Sequence, residues 1–434
     1  MDAQVGDLIQ IETKKGKEDG ILMPSSEEGI LIIKLKNGYN RGFKKEEIKK
    51  IKVLEKKEIK KVEIKTEAEK EKTPLLPIIS LLHCGGTIAS KIDYATGAVS
   101  AKFSPTEIKE MFPDIFQAVN LRSRLIANMM SDDMRFGHYN LIAKAIKEEI
   151  ESGTEGIIIT HGTDTLHYTA AALSFSLENL SIPVILVGSQ RSSDRGSSDA
   201  FLNLKCAVKF ILNSDFGEVA LCMHENSQDE SCLILPALKS RKLHTSRRDA
   251  FKAINALPWA RVKKEGAIEV LSAYYTKKDK KKKTVLKLFN EHLKLGLLYA
   301  HPQMSVEEFS SYDCFDGLIL AGTGLGHFPI TEMDSLTKEH FRIKDKILVL
   351  AKKMPLVMTS QAIFGRVNLN VYSPGRELFH AGILGSYSDL TPETAFIKLG
   401  WLLSNFPKEE VKKQWEKNWR GEKTERIKHR EDFL

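Results

Sequence analysis

Two short segments of this chain carry threonine hydroxyls at positions suited to chemistry. Thr87 lies in the run CGGTIAS, and Thr163 lies in the run HGTDT. The first run follows an apolar stretch at residues 77–82, and the second follows another at residues 156–160. Both stretches are predicted to be buried strands of a parallel sheet, and open α/β sheets bind ligands at the carboxyl ends of their strands. We therefore expect the two hydroxyls to share one site.

Hydrolysis of a carboxamide is the chemistry that this pair of motifs suits. A carboxamide is a poor electrophile, so its hydrolysis needs an activated nucleophile, N–H donors for the oxyanion and a proton route to the leaving ammonia. Thr87 follows Gly85 and Gly86, where the missing side chains let a substrate approach the backbone and its N–H groups. On its own, Gly-Gly-Thr is more typical of an ordinary turn between a strand and a helix. The hydrolase hypothesis therefore depends on the second motif.

The second motif places a hydroxyl next to a carboxylate, in Thr163 and Asp164. A lysine close to both, such as Lys242, would lower the cost of deprotonating the Thr163 hydroxyl. One of the two threonines would attack the amide, and the other would assist the second half of the reaction. This interpretation requires the fold to bring residues far apart in the chain into contact.

Three other patterns favour a structural interpretation over a catalytic one. Cys84 is an alternative nucleophile, but its surroundings lack the G-x-C-x-G turn, which favours a buried and unreactive thiol. His161 and His167 do not have the spacing of zinc ligands and are interpreted as residues of the core or of a helix start. The segment GTGLG at residues 322–326 lacks the G-x-G-x-x-G spacing of a dinucleotide site.

The whole chain is predicted to form a small β-barrel followed by two α/β domains. Short apolar strands separated by turn signals, including Asn37-Gly38, predict the barrel, which is either a docking module or a stabilising appendage. Repeated strand, loop and helix patterns then predict parallel sheets. The predicted segments are the barrel at 1–53, a charged linker at 54–74, a catalytic domain at 75–284, a second domain at 285–407 and a charged tail at 408–434.

Several elements are predicted within these domains. Ser131, Asp132 and Asp133 are predicted to cap a helix, and further strands are predicted at 183–187, 219–223, 317–320 and 355–358. Two helices are predicted from apolar stripes, which comprise Leu141, Ile142, Ala145, Ile146 and Ile150 in one and Phe201, Leu204, Val208 and Ile211 in the other. In the tail, the helical spacing of Val411, Trp415 and Trp419 favours core packing over a partner-binding helix.

The composition is that of a protein without structural disulfides. The 434 residues are 42% hydrophobic, and the five cysteines show no C-x-x-C spacing, which disfavours a disulfide framework or a zinc knuckle. The chain has no export signal and no run of about 20 apolar residues, so a cytoplasmic protein is expected. The formal charge of +8 is concentrated in the run KKDKKKK at residues 277–283. A solvated loop is favoured for this run over contact with nucleic-acid phosphates or an acidic partner.

Taken together, the motifs resemble those of the type I/II L-asparaginase family of amidohydrolases. The resemblance rests on CGGTIAS, HGTDT, the run VGSQR and a lysine upstream of the run DAFK, and it extends over residues 75 to about 405. It implies an asparaginase-like α/β fold in which Thr87 is the nucleophile and Tyr94, on the loop that follows, assists it. It also implies that the remaining catalytic residues are Thr163, Asp164 and Lys242.

The same resemblance implies how an amino-acid amide is held. Ser131 corresponds to the family's serine that binds the α-carboxylate of the substrate, and N–H groups near Gly86 would hold the oxyanion. Asp132 replaces the glutamine that is usual in bacterial asparaginases, and its carboxylate would attract the α-ammonium. The loop that leads to Tyr94 is shorter than is typical. The loop at residues 321–327 differs from the family's glycine- and asparagine-rich loop, which reaches into a neighbouring subunit. No metal is expected in the chain.

The predicted barrel, the linker and the ending WRGEKTER extend the resemblance over the whole chain, to the D subunits of archaeal glutamyl-tRNA(Gln) amidotransferases. This resemblance implies a subunit that releases ammonia from glutamine or asparagine, a homodimer of this subunit, and a separate E subunit that converts Glu-tRNA(Gln) to Gln-tRNA(Gln). No cofactor is implied here, and ATP and Mg would bind the partner, since the chain contains no G-x-x-x-x-G-K-[ST]. The alternatives are a stand-alone L-asparaginase or glutaminase and a non-catalytic tRNA-binding or scaffold subunit.

Overall fold

The computed structural model describes residues 3, 7–14, 16–23, 25, 29–35, 40–56, 76–86, 88, 90–92, 99–101, 115, 117–193 and 197–427. The predicted turn at Asn37-Gly38 and residues 57–74 of the predicted linker lie outside these ranges. The strands are β1 (Leu8–Thr13), β2 (Gly16–Met23), β3 (Ile30–Lys34), β4 (Asn40–Lys44), β5 (Ile48–Glu55), β6 (Ile78–Gly85), β7 (Ser90–Ile92), β8 (Val99–Ala101), β9 (Asn120–Met129), β10 (Gly156–Thr160), β11 (Leu177–Glu178), β12 (Val184–Val187), β13 (Val219–His224), β14 (Ser231–Pro236), β15 (Ser240–Lys242), β16 (Phe251–Ala253), β17 (Ala260–Lys263), β18 (Ile268–Val270), β19 (Val285–Leu286), β20 (Leu295–Tyr299), β21 (Gly317–Gly322) and β22 (Leu356–Ser360).

The α-helices of the described residues lie between and after these strands. They are α1 (Phe136–Glu151), α2 (Leu166–Ser176), α3 (Ala200–Asn213), α4 (Glu339–Lys353), α5 (Ser373–His380), α6 (Pro392–Asn405) and α7 (Val411–Glu416). None of the helices that the structure describes combines the length and the apolar character that a membrane crossing requires. In α3, Leu204, Val208 and Ile211 are buried as predicted, and Phe201 is partly buried.

The N-terminal strands form a barrel-like antiparallel sheet in the order β4-β3-β2-β1-β5. Alternate residues of β1, Ile9 and Ile11, point into a small core with Leu31 and Ile33 of β3. The period of two in these strands is what the sequence pattern predicts for a sheet with one buried face. The predicted fold of this segment is confirmed.

The two motifs lie on a large mixed sheet with the strand order β18-β17-β14-β13-β12-β10-β6-β9. Pairing is parallel from β9 to β13 and antiparallel from β13 to β18, so the predicted parallel arrangement applies to one half of the sheet. Strands β6 and β10 are neighbours, with His83 paired to Thr160. Because both strands run in the same direction, the two motifs leave the sheet at the same edge.

Helices cover both faces of this sheet. Ile158 of β10 packs in the core that contains α3, while Ile157 and Ile159 pack in the core that contains α1 and α2. All three side chains are buried, which is why the strand is a continuous apolar run. The sheet is thereby held between two helical layers.

Helix α1 differs from its prediction at its start and on one face. Residues Ser131–Asp133 form a separate 3-10 turn, and Arg135 precedes the helix with its backbone N–H donated to His138 Nδ1, 3.0 Å away. The predicted cap was therefore wrong. Leu141 is 51% exposed, because the buried stripe passes through Ile142 and Ile146 and leaves Leu141 at its solvent edge.

The second α/β unit contains the parallel sheet β20-β21-β22. Leu320 of β21 and Met358 of β22 pack with Ile347 of α4 in a core of their own. The strands predicted at 317–320 and 355–358 correspond to β21 and β22. The short pair β11 and β19 joins the start of this region back to the first unit through Leu177 and Leu286.

The tail residues pack in a core that the two units share. Val411 and Trp415 of α7 are buried there, which confirms the prediction of core packing. Trp419 lies beyond the end of α7 and contacts Trp401 of α6, with ring centroids 5.3 Å apart. Trp401 in turn stacks on Phe175 of α2 at 5.4 Å. Aromatic contacts therefore join the tail to the first unit.

A buried ion pair fixes the tail to α6. Lys398 Nζ lies 2.6 Å from Glu422 Oε1, and both side chains are fully buried. The ammonium also donates to the carbonyl oxygens of Trp415 and Lys417, each at 2.8 Å, so its three N–H groups all have acceptors. Burial lowers the pKa of Lys398 to about 8, and the Glu422 carboxylate opposes this shift.

Replacing Glu422 with alanine leaves a buried ammonium without its counter-ion. We expect Glu422→Ala to lower the thermal midpoint at pH 7 by roughly 10 °C, since removal of one partner of a buried pair costs about 3–5 kcal/mol. Glu416→Ala is the matched control, because the Glu416 side chain is 64% exposed and lies 3.7 Å from Lys423. Thermal unfolding followed by tryptophan fluorescence measures both, and equal midpoints would contradict the role of the buried pair.

Candidate active site

The diglycine turn at the end of β6 is in direct backbone contact with the HGTDT motif. Gly85 and Gly86 have φ values of 94° and 88°, a region that side chains rarely adopt. A Cβ atom at Gly86 would overlap the backbone nitrogen of Gly162, and one at Gly85 would overlap the carbonyl oxygen of Met129. Only glycine fits at either position. The turn that precedes Thr87 therefore lies against the residue that precedes Thr163.

Thr87 and Tyr94 lie outside the described residues. Their predicted roles as the nucleophile and its assistant stay predictions. What the structure gives is the position of Gly86, the chain neighbour of Thr87, at the edge of the sheet where HGTDT begins.

Lys242 lies within hydrogen-bonding distance of both Thr163 and Asp164. Lys242 Nζ donates to Thr163 Oγ1 at 2.9 Å and to Asp164 Oδ1 at 2.8 Å. Thr163 is buried, the Lys242 side chain is 10% exposed, and the Asp164 side chain is 60% exposed. The ammonium is thus held between a buried hydroxyl and a carboxylate that faces solvent.

Lys242 is positioned by a short strand that the second α/β unit braces. It ends β15, where it is paired with Phe251 of β16. Two other residues of the same segment make ion pairs with residues around the start of α6. Lys239 Nζ lies 2.7 Å from Asp389 Oδ2, and Arg241 Nη2 lies 2.9 Å from Glu393 Oε1. Burial lowers the pKa of Lys239, and its attraction to Asp389 opposes that shift.

The other side of Thr163 contacts a loop that follows β12. Gln190 Oε1 lies 3.4 Å from Thr163 Oγ1. A Cβ atom at Gly188 would lie 2.7 Å from Thr163 Cγ2, so the loop backbone touches the threonine directly. The Gln190 Nε2 atom is buried and has no hydrogen-bond partner in the described part of the chain. The Gln190 carboxamide is therefore a further polar group beside the Thr163 hydroxyl.

A buried carboxylate holds this loop in place. Asp199 accepts hydrogen bonds from Ser189 Oγ at 2.9 Å, from the backbone N–H of Gln190 at 3.0 Å and from that of Arg191 at 3.1 Å. The family motif VGSQR ends at Arg191 and does not include Asp199. Asp199 directly precedes α3 but makes no capping hydrogen bond to that helix, so a helix-cap pattern would not have predicted its role in the loop.

Two histidines beneath the site are structural. His161 Nδ1 lies 2.7 Å from the carbonyl oxygen of Gly162, and its Nε2 lies 2.9 Å from Thr169 Oγ1. His83 Nδ1 lies 2.6 Å from Thr160 Oγ1. Burial lowers the pKa of both His83 and His161 to about 4, so both are neutral at pH 7 and tether the strand ends.

His167 and Cys84 are also buried. Burial lowers the pKa of His167 to about 3 and raises that of the Cys84 thiol to about 12, which supports the structural interpretation of both. Over the ranges described above, no group of three or more His, Cys, Asp or Glu side chains is arranged to hold a metal ion.

Ser131 lies behind the HGTDT loop. Its Oγ is 3.3 Å from the backbone nitrogen of Thr165, and its carbonyl oxygen accepts a hydrogen bond from Thr165 Oγ1 at 2.5 Å. A Cβ atom at Gly162 would lie 2.8 Å from Ser131 Cβ. Asp132 is exposed in the same turn. The two residues predicted to bind the substrate's α-carboxylate and α-ammonium thus begin a turn that contacts this loop.

Among the described residues, Lys242, Thr163 and Asp164 form a set that can relay a proton. An ammonium beside a buried hydroxyl stabilises the alkoxide form of that hydroxyl and can transfer a proton during reaction. The glycines at the ends of β6 and β10 let the backbones of the two motifs pack directly against each other.

Comparison with known protein families agrees with this geometry. Residues 78–275 match the family described as "Asparaginase, N-terminal" and residues 294–415 match the "Glutaminase/Asparaginase C-terminal domain". Residues 3–54 match the "GatD N-terminal domain".

Solved L-asparaginases share the fold of most of the chain. The thermostable L-asparaginase from Thermococcus kodakarensis superposes with a TM-score of 0.69 at 29% identity, covering 80% of this chain and 99% of that one. L-asparaginase I from Vibrio cholerae superposes with a TM-score of 0.67 at 27% identity, with the same coverage of both chains. The predicted fold class is confirmed.

Relatives with similarity over the full length are amidotransferase subunits. The D subunit of glutamyl-tRNA(Gln) amidotransferase from Pyrococcus furiosus is 42% identical over 431 residues, which cover 97% of this chain and 95% of the relative. The protein of the same name from Methanococcus maripaludis strain C6 is 41% identical over 428 residues, which cover 98% of this chain and 99% of the relative. This chain therefore belongs to the family of glutamyl-tRNA(Gln) amidotransferase D subunits, whose catalytic region is built on the asparaginase fold.

Proposed function

We propose that this chain is the ammonia-releasing subunit of a tRNA-dependent amidotransferase. It hydrolyses the side-chain amide of glutamine, or of asparagine, to a carboxylate and ammonia. A partner E subunit uses the ammonia, ATP and Mg²⁺ to convert Glu-tRNA(Gln) to Gln-tRNA(Gln). The observation that carries this proposal is the contact of Lys242 Nζ with both Thr163 and Asp164, at the sheet edge where the Gly86 turn leads to Thr87.

The N-terminal module favours a subunit over a stand-alone hydrolase. The two L-asparaginases align over 99% of their own length but over only 80% of this chain. The amidotransferase relatives align over at least 97% of this chain. Residues 3–54, which match the GatD N-terminal family, therefore separate the two classes. The alternative of a non-catalytic scaffold is disfavoured, because the lysine, hydroxyl and carboxylate keep a geometry suited to catalysis.

The first half of the proposed reaction forms an acyl-enzyme. Thr87 Oγ attacks the amide carbon while backbone N–H groups near Gly86 and Thr163 hold the oxyanion. Tyr94 assists removal of the Thr87 proton. The C–N bond then breaks, the nitrogen receives the proton, and ammonia leaves.

The second half returns the free enzyme. Water attacks the acyl carbon, the bond between that carbon and Thr87 Oγ breaks, and Thr87 recovers its hydroxyl hydrogen. Thr163, with Lys242 and Asp164, provides the proton relay for this step. The contacts of Gln190 and Gly188 with Thr163 keep the relay hydroxyl in one orientation.

Substrate binding, in this proposal, uses the turn behind the HGTDT loop. Ser131 binds the α-carboxylate and the Asp132 carboxylate attracts the α-ammonium. Such contacts would select an amino acid over a simple amide, because a bound zwitterion satisfies both groups at once.

The proposed assembly is a homodimer of this chain with E subunits on its outside. The chain itself needs no cofactor, since neither proposed half-reaction transfers electrons or phosphate. ATP and Mg²⁺ are assigned to the partner. With proposed α/β domains at residues 75–284 and 285–407, all of the proposed catalytic residues belong to the first domain.

Removal of the Thr87 hydroxyl tests the nucleophile. We expect Thr87→Ala to lower glutamine hydrolysis by roughly 10,000-fold, because no other hydroxyl is assigned to attack the amide. In the complex with the E subunit, the same variant should form Gln-tRNA(Gln) from added ammonium chloride within about twofold of wild type.

The two assays together separate catalysis from assembly. Loss of both activities in a folded Thr87→Ala complex would argue against a separate ammonia-using site. Full glutaminase activity in Thr87→Ala would remove the nucleophile assignment.

Replacement of Lys242 tests the proton relay. We expect Lys242→Met to lower kcat for glutamine hydrolysis by about 100- to 10,000-fold, the usual contribution of acid–base catalysis, and to prolong the acyl-enzyme. Intact-mass measurement after rapid acid quenching would detect the acyl group as a larger fraction of the chain than in wild type. Lys252→Met, on the paired strand β16, is the matched control and should keep kcat within about twofold. A wild-type kcat in Lys242→Met would contradict the relay.

A further inference from the structure

The residues that follow α7 pack between the two α/β units. We call residues 418–425 the terminal segment. It lies outside the region that matches the asparaginase C-terminal family, which ends at residue 415. No residue of the terminal segment is assigned to amide hydrolysis. Its contacts with the first unit are therefore additional to those of the matched asparaginase region.

The terminal segment contacts both units through its own side chains. The Glu422 carboxylate, which pairs with Lys398 of α6, also accepts the backbone N–H of Arg420 at 2.8 Å. Arg420 Nε in turn donates to the carbonyl oxygen of Ser174 in α2, at 3.2 Å. The segment is thus held on α6 of the second unit and on α2 of the first.

Near its end, the terminal segment binds a buried carboxylate. The backbone nitrogen of Thr424 lies 3.2 Å from Asp389 Oδ1 and donates to it, and the Thr424 hydroxyl donates to Asp389 Oδ2. Arg366 fixes the backbone at this point, because its Nη2 donates to the carbonyl oxygen of Thr424 at 3.2 Å. The Asp389 side chain is fully buried, so it cannot replace these donors with water.

The same carboxylate pairs with a lysine of the first unit. Lys239 Nζ lies 2.7 Å from Asp389 Oδ2, the oxygen that also accepts the Thr424 hydroxyl. The Lys239 side chain is only 4% exposed. A buried ion pair keeps a single geometry only where further hydrogen bonds satisfy its remaining lone pairs. Thr424 supplies two such bonds, so it orients the carboxylate that faces Lys239.

Three contacts hold β15 and the turn before it on the start of α6. Two are the ion pairs of Lys239 and Arg241 described above. The third is a hydrogen bond from Thr394 Oγ1 to the carbonyl oxygen of Leu238, at 3.1 Å. The ion pair of Lys239 is the one that the terminal segment reaches, through Thr424. Since Lys242 ends β15, these contacts set where its side chain begins.

We propose that Thr424 is a positioning residue for Lys242, which acts through Asp389 and Lys239. Strand β15 belongs to a two-stranded sheet with β16 rather than to the large sheet, so its place depends on the contacts with α6. Displacement of a reacting group by about 1 Å can lower a rate about 100-fold. The proposal rests on the proposed function, in which Lys242 relays a proton with Thr163. It makes amide hydrolysis depend on a segment beyond the matched asparaginase region.

Removal of one hydroxyl from the full-length chain tests the proposal. We expect Thr424→Val to lower kcat for glutamine hydrolysis about tenfold and to change KM by less than about twofold, because the relay is displaced while the proposed substrate contacts are not. Thr424→Ser keeps the hydroxyl and should restore kcat to within about twofold of wild type. A wild-type kcat in Thr424→Val would overturn the proposal.

Thr337→Val is the matched control for a lost hydroxyl in the second unit. The Thr337 hydroxyl accepts the backbone N–H groups of Met333 and Asp334 at 2.8 and 2.9 Å, before α4. This variant should keep kcat within about twofold of wild type. All variants are assayed well below their thermal midpoints, so that each chain is folded. Equal losses of kcat in Thr337→Val and Thr424→Val would contradict a specific effect on the relay.

A double-mutant cycle separates positioning from general weakening of the fold. In the background of Lys242→Met the relay ammonium is already absent, so addition of Thr424→Val should lower kcat by less than about twofold. A structural role unconnected with Lys242 would instead give the same loss of about tenfold in both backgrounds. That result would overturn the proposal.

Hydrogen exchange tests the positioning step without any use of activity. Mass spectrometry of peptides that cover residues 238–242 should show backbone exchange about tenfold faster in Thr424→Val than in wild type, and no change in Thr337→Val. Unchanged exchange in this segment would overturn the inference even in a chain that hydrolyses glutamine. Absence of glutamine hydrolysis in the wild-type chain would refute the proposed function, and the exchange rates would still decide whether Thr424 positions this segment.

Discussion

The site depends on the close approach of two backbones, at Gly86 and Gly162. Neighbouring parallel strands place these residues side by side, and any side chain at Gly86 would overlap the nitrogen of Gly162. This contact fixes the distance between the turn that leads to Thr87 and the loop that carries Thr163. Because the constraint is steric and lies in the backbone, it does not depend on pH or on the presence of a substrate.

Around this contact, the Thr163 hydroxyl is held from two directions. Lys242 approaches on a strand that residues of the second unit brace through two ion pairs, and the Gln190 loop approaches on a segment held by the buried Asp199. The position of Lys242 therefore depends on the second unit, since ion pairs with residues around the start of α6 hold its strand. Glu422 and the tail stabilise α6 in turn. This explains why Glu422, which is far from the proposed catalytic residues and close to the end of the chain, is charged yet buried.

Much of this arrangement could be predicted from the sequence. Buried strands such as β10 are uninterrupted apolar runs, and the short motifs that follow them indicated which two backbone turns meet at the sheet edge. Lys242 required the family resemblance, because nothing in its local sequence points toward Thr163. Asp199 was missed because its partners are backbone N–H groups, which carry no sequence signal. The cap predicted at Ser131 was wrong because these residues form their own turn, and Leu141 was misplaced because periodicity does not fix the edge of a buried stripe.

In the proposed mechanism, Thr87 attacks the amide beside Thr163 and Lys242. The most direct measurement is covalent labelling with a diazoketone analogue of glutamine, followed by tandem mass spectrometry of the digested chain. We predict an adduct on Thr87 that excess glutamine prevents. An adduct on Cys84 or on any other residue, protected by glutamine in the same way, would contradict this account.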